Sequence, residues 1–276
     1  MKRITLFSLV FFISLIFIAC SKEKDESVTD PLAGLKKLKE GYAVGAATKV
    51  EIWSDKDFFV GYNKVIVVLY DSLIPTQKIT DAHIRFQPVM TMQMGMMEKR
   101  HACPVENPEE IAVNDVFPGA VVFIMATDSS GSWKLEVAVH NHNNDKEGKV
   151  NFDITVDNTP TSLLKMFTTR TDSSRLILTL VQPMEPKIGV NDIEFTLHKK
   201  VDMMNFSADD THTIEIIPEM PSMGHGSPNN VNPVNVGKGH YKGKVNFTMT
   251  GEWRINVLVR KDSILVADNV FFNLVL

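Results

Sequence analysis

Residues 88–104 read PVMTMQMGMMEKRHACP and hold five methionines (Met90, Met92, Met94, Met96 and Met97), His101 and Cys103. A shorter copy at 218–228 reads PEMPSMGHGSP and carries Met220, Met223 and His225. Both copies start at proline, pass through Met-Gly and reach a histidine three residues before a further proline. Thioether, thiol and imidazole are the ligands that select soft copper, Cu(I) above all. The same side chains also fill irregular gaps in ordinary cores. Two readings therefore stand side by side, packing and ligation. The ligation reading takes Met220, Met223 and His225 as one site, and a subset of Met90, Met92 and Met94 with His101 and Cys103 as the other. Met90, Met92, Met94 and Met96 recur at spacing two, which in an extended strand puts all four on one face.

Other chemistry is sparse. His140-Asn-His142 has the spacing to chelate from one strand face, but it opens a polar Asn/Asp/Gly turn, which is the simpler account. His198, His212 and His240 stand alone and read as surface or cross-strand residues. No zincin helix motif, Cys-x-x-Cys pair, nucleophile elbow or phosphate-binding glycine loop occurs. The expectation is a protein that is not an enzyme.

The ends bound the setting. Lys2 and Arg3 precede an apolar run from Ile4 to Ala19, the layout of a secretory signal peptide. The junction Phe17-Ile-Ala-Cys20 resembles a bacterial lipobox, with Phe17 where leucine is usual, and implies lipidation of Cys20. The expected location is the cell envelope, lipid-anchored to the outer membrane and facing either the periplasm or the exterior. The tract Ser-Lys-Glu-Lys-Asp-Glu after Cys20 has nothing to bury and reads as a solvated tether. The formal charge is −4, and subtracting the two cations Lys2 and Arg3 with residues 1–19 makes it −6. A chain of that balance has no basic footprint for nucleic acid. With Cys20 committed to lipid, Cys103 has no intrachain partner for a disulfide.

The elements that must position these residues are strands. Short β-type runs at 50–53, 64–70, 83–86, 120–125, 133–139 and 150–156 are separated by Asp, Asn, Gly, Ser or Pro. Alternation is clean in 133–139 and 150–156, as in half-buried antiparallel strands. The order then repeats. Gly61-Tyr-Asn-Lys-Val returns as Gly189-Val-Asn-Asp-Ile, Ile84 to Pro88 returns as Ile214 to Pro218, and Gly131-Ser-Trp133 returns as Gly251-Glu-Trp253. Two such units fit tandem immunoglobulin-like β-sandwiches, an all-β fold with Trp133 and Trp253 as core anchors. The boundaries read as signal 1–19, lipidated N-terminus and linker 20–48, first sandwich 49–157, inter-domain linker 158–174 and second sandwich 175–276. A helical turn is expected at most around Leu163, Leu164, Met166 and Phe167.

The second unit resembles a known family. Pro218-Glu-Met-Pro-Ser-Met-Gly-His225, followed by Gly239-His-Tyr-Lys-Gly243 and then Phe247 to Trp253, is similar to the pattern of YtkA-like (FixH-related) domains. The first unit looks like a divergent copy that keeps Phe123, Met125, Gly131 and Trp133 but has Phe117-Pro-Gly-Ala in place of Gly-x-Tyr. The resemblance implies an exported β-sandwich associated with cation transport and copper handling. Two functions follow as expectations: a copper-binding envelope lipoprotein, or a non-catalytic module contacting an envelope transport or efflux protein.

Overall fold

A computed structural model describes residues 30–276. The lipidation site read at Cys20 and the signal segment lie outside the described residues. Residues 31–276 form one compact unit built from two β-sandwiches.

The first sandwich contains β1 (Lys36–Ala43), β2 (Thr48–Ser54), β3 (Gly61–Asp71), β4 (Lys78–Ile79), β5 (Ala82–Met94), β6 (Met97–Ala102), β7 (Val105–Glu106), β8 (Phe117–Phe123), β9 (Gly131–Asn141) and β10 (Lys146–Ile154). One sheet runs β1-β2-β3-β8-β7 with β4 beside β3, and it faces a sheet ordered β10-β9-β5-β6. The second sandwich repeats this with β11 (Leu164–Thr168), β12 (Arg175–Gln182), β13 (Gly189–Lys200), β14 (Phe206–Ala208), β15 (Thr213–Met220), β16 (His225–Gly226), β17 (Val231–Gly237), β18 (His240–Phe247), β19 (Glu252–Lys261) and β20 (Ile264–Val275). Its sheets run β11-β12-β13-β18-β17, with β14 beside β13, and β16-β15-β19-β20. Strand for strand the two orders match, so the fold is all-β with tandem immunoglobulin-like sandwiches.

The correspondence reaches individual hydrogen bonds. Asn63 Nδ2 donates to the carbonyls of Phe59 and Gly61, and Asn191 Nδ2 donates to those of Lys187 and Gly189. The backbone N–H of Phe86 donates to the Asn107 side chain at 2.8 Å, and that of Ile216 donates to Asn232 at 3.0 Å. Trp133 Nε1 donates to the Met125 carbonyl at 2.9 Å, and Trp253 Nε1 donates to Met249 at 3.1 Å. Register also equates the segments that looked different. Phe117 stands opposite Val67 and Gly119 opposite Val65, as Tyr241 stands opposite Phe195 and Gly243 opposite Ile193.

Two boundaries differ from the sequence reading. Lys36–Ala43 is a strand inside the expected linker 20–48, and Leu164–Thr168 is a strand inside the expected linker 158–174, with no helical turn. Both are the outermost strands of equivalent sheets. An edge strand of this kind is bonded on one side only, and here β1 is mostly exposed, so its alternation is weak and it reads as linker.

The cores meet at the join. Leu176, Leu178 and Leu180 point into the second core, whereas Ile177 between them packs into the first. Phe59 of the first sandwich in turn belongs to the second core. The Ala102 N–H donates to the Met203 carbonyl at 2.9 Å, tying β6 to the β13–β14 turn. Part of the outward face of the β13 sheet, around Ile177, Thr196 and His198, is therefore covered, while Val190 and Met166 stay exposed.

Candidate functional site

The methionine stretch at 88–104 is built on a hairpin. Strand β5 continues through Met94, turns at Gly95-Met96 and returns as β6. Gly95 has φ +65 while Met96 is not among the positive-φ residues. That is the signature of a two-residue turn with glycine first. Pro88, which has no N–H to offer, falls one residue before the Val89–Ala102 pair that ends the β5–β6 ladder.

The register of this hairpin makes the site. Met90 is directly opposite His101 on one side and opposite Trp133 of β9 on the other. All three are buried, so a His–Met–Trp row crosses three strands on the core face. The His101 and Trp133 rings meet edge to face with centroids 5.3 Å apart. His101 Nδ1 lies 3.0 Å from the Ala102 carbonyl, which can only accept, so Nδ1 carries the proton and Nε2 the lone pair. Among the described residues, Nε2 is buried with no hydrogen-bond partner. A buried orphan of this kind costs about 1–3 kcal/mol, and an imidazole lone pair is also what a metal takes.

The second sandwich has the same row. Met220 is directly opposite His225, and β15 pairs with β19 up to Glu219–Arg254, one residue short of Met220 and Trp253. The His225 and Trp253 ring centroids are 5.9 Å apart. Glycine at the start of the tryptophan strand makes room for the thioether in both units. A Cβ at Gly131 would lie 2.5 Å from Met90 Cε, and one at Gly251 would lie 2.7 Å from Met220 Cε.

The other sequence-predicted residues spread around these rows. Met92 is half-buried beside Met90, with Cγ 3.0 Å from a Cβ at Gly131. Met94 and Met223 are exposed, and His225 is half-buried. Cys103 is a free thiol in the first core, two residues beyond His101, and burial pushes its pKa well above the ordinary range. It is held as a thiol in this state, not the thiolate that ligation needs. Among the described residues, no three His, Cys, Asp or Glu side chains are grouped to hold a metal.

Three histidines read from sequence as isolated turn out to be structural. His198 and His212 are buried rather than at the surface, and His212 Nδ1 lies 2.8 Å from Asp209 Oδ1. Burial would push the Asp209 carboxyl up, but His212 and Thr211 together hold it down at about 2. Burial pushes His198 down to about 4. His240 joins the sandwiches through Glu106 of the first and is held by Glu194 within its own. His140 and His142 are each bound to a carboxylate, Asp145 at 3.0 Å and Asp81 at 2.5 Å, and anchor the β9–β10 turn.

Comparison with known proteins bears on the second sandwich. Residues 170–258 match the family described as YtkA-like, and this span contains the Met220–His225–Trp253 row. No curated protein matches the chain in sequence. Among solved structures, FdeC, a broadly conserved Escherichia coli adhesin, is similar at 13% identity with a TM-score of 0.24. That alignment covers 86% of this chain and 65% of the adhesin chain, so this chain spans less than two thirds of its length. A likeness so distant carries no functional argument.

Proposed function

We propose that this chain is a non-catalytic soft-metal-binding module that takes Cu(I) at the His–Met–Trp row of each sandwich. The first site uses Met90 Sδ and His101 Nε2, with Met92 as the next thioether along the same face. The second uses Met220 and His225, with Met223 on the connecting loop. The observation that carries this reading is the repetition of one arrangement: a methionine and a histidine directly opposite across a hairpin, beside a buried tryptophan. In the first sandwich it includes an imidazole nitrogen with no other partner. Thioether and imidazole are neutral ligands suited to Cu(I), and an indole face next to a cation adds an electrostatic attraction. Cys103 enters as a ligand only if the metal displaces its proton.

In this reading Cys20 carries a lipid that holds the module at the outer membrane, and an envelope transport or efflux protein exchanges metal with it. A Cu(I) competition titration against a chromogenic chelator tests the site directly. Met90→Leu and Met220→Leu keep volume and hydrophobicity while removing sulfur. Each is expected to abolish one class of bound Cu(I). Unchanged affinity in both variants returns the methionines to packing and leaves a non-catalytic interaction module as the function.

A further inference from the structure

The turn of the β5–β6 hairpin carries three methionines that the fold does not use. Met94, Met96 and Met97 are exposed, Met96 completely so at 106% of its reference surface. A two-residue turn of this type requires only the glycine at 95. Positions 94, 96 and 97 could all be polar without loss of any contact in the core. Single exposed apolar residues are ordinary, but here three of four consecutive residues are thioethers at the most solvent-exposed point of a hairpin. Met94 and Met97 are the last cross-strand pair before the turn. Opposed side chains there start about 5 Å apart, and three flexible torsions each let the sulfurs meet. Met94 also continues the face of Met92 and Met90, along which exposure falls from 49% at Met94 to 0% at Met90.

We infer that Met94, Met96 and Met97 form a separate, solvent-facing site for a soft monovalent cation, Cu(I) or its analogue Ag(I). It is distinct from the row at Met90 and His101. A set made only of uncharged thioethers favours such ions over zinc or other borderline divalents. The inference shares its ligand chemistry with the proposed function but not its residues.

The test uses Ag(I), which needs no reductant, added stepwise to the lipid-free chain carrying methyl-labelled methionine. Bound ion is counted while the methionine methyl resonances are followed. The expected result is that the Met94, Met96 and Met97 methyls shift together, and that Met94→Leu/Met96→Leu/Met97→Leu loses one equivalent of Ag(I). The Met90→Leu/Met92→Leu variant should keep that equivalent and lose a different one. If the triple variant binds as much Ag(I) as the parent and the tip methyls do not move, the hairpin tip is apolar surface only and the inference falls. If only the triple variant loses metal, the tip site stands and the proposed buried site in the first sandwich falls. If no variant differs from the parent, both fall.

Discussion

His240 of the second sandwich places Nε2 2.9 Å from Glu106 Oε1 of the first, while its Nδ1 lies 2.7 Å from Glu194 Oε1. Carboxylates can only accept, so both ring nitrogens donate and the ring is an imidazolium. Tyr62 Oη donates to the other Glu106 oxygen at 3.0 Å, and Lys242 stands 3.4 Å from Glu194. The hydrogen bonds to Glu106 and Glu194 outweigh burial and push His240 up to about 9. Burial alone would raise the Glu194 carboxyl, but His240 and Lys242 hold it below its usual range.

This pair makes the joint between sandwiches sensitive to alkali. A histidine whose pKa is raised on folding contributes stability fully below its unfolded value of ~6.5. The contribution is lost as pH rises through about 9. Tyr62 stays protonated across that window, because burial pushes its phenol far up. Urea unfolding between neutral pH and the His240 value should show falling stability, by about 2 kcal/mol from the shift alone. His240→Gln should flatten that slope. A parent protein with the same stability across the window would remove His240 from the joint.

Trp133 and Trp253 are each 1% exposed. Replacing either by alanine should cost ~3–5 kcal/mol by loss of packing and a residual cavity. Chemical denaturation of the two single variants measures it, and similar costs are expected because the two environments match.

Gly131→Ala should separate packing from ligation in the first sandwich. Its φ is not positive, so the backbone accepts a side chain. The new Cβ meets Met90 Cε at 2.5 Å, and Met90 Sδ lies within 3.5 Å of it. Because a thioether end is mobile, the methionine swings aside at a cost of about 1–3 kcal/mol. Cu(I) affinity at the first site should then fall more than thermal stability does, as read by competition titration beside melting curves.

His101→Leu should separate stability from binding. The substitution deletes a buried nitrogen that has no partner, together with one bond to the Ala102 carbonyl. Metal-free stability should stay within about 1 kcal/mol of the parent, while Cu(I) binding at the first site disappears. A large loss of metal-free stability would make His101 a packing residue instead.

Cys103 should resist thiol reagents in the folded protein. Its thiolate is disfavoured by burial, and no disulfide occupies it. Reaction with an aromatic disulfide should follow global unfolding and accelerate with denaturant in step with the loss of structure.

Much of this protein was legible in its sequence because the signals are local. Alternation at Trp133–Val139 fixes a half-buried strand, and the paired Gly-x-Asn and Gly-x-Trp segments mark two equivalent units. Methionine at spacing two put Met90, Met92 and Met94 on one face, as β5 does. Tertiary structure decided what lies across from each residue. The partnership of Met90 with His101 depends on hairpin register, which the number of residues in the turn sets and a list of ligand types does not. The outer half of that stretch extends beyond the core, leaving Met94 to Arg100 exposed on both faces. The strand from Leu176 to Val181 is buried on both sides, and only the assembled chain shows that Ile177 packs into the first sandwich. His240 remained a lone histidine in the sequence for the same reason. Glu106, 134 positions away, becomes its neighbour only when the outward faces of two sheets are pressed together.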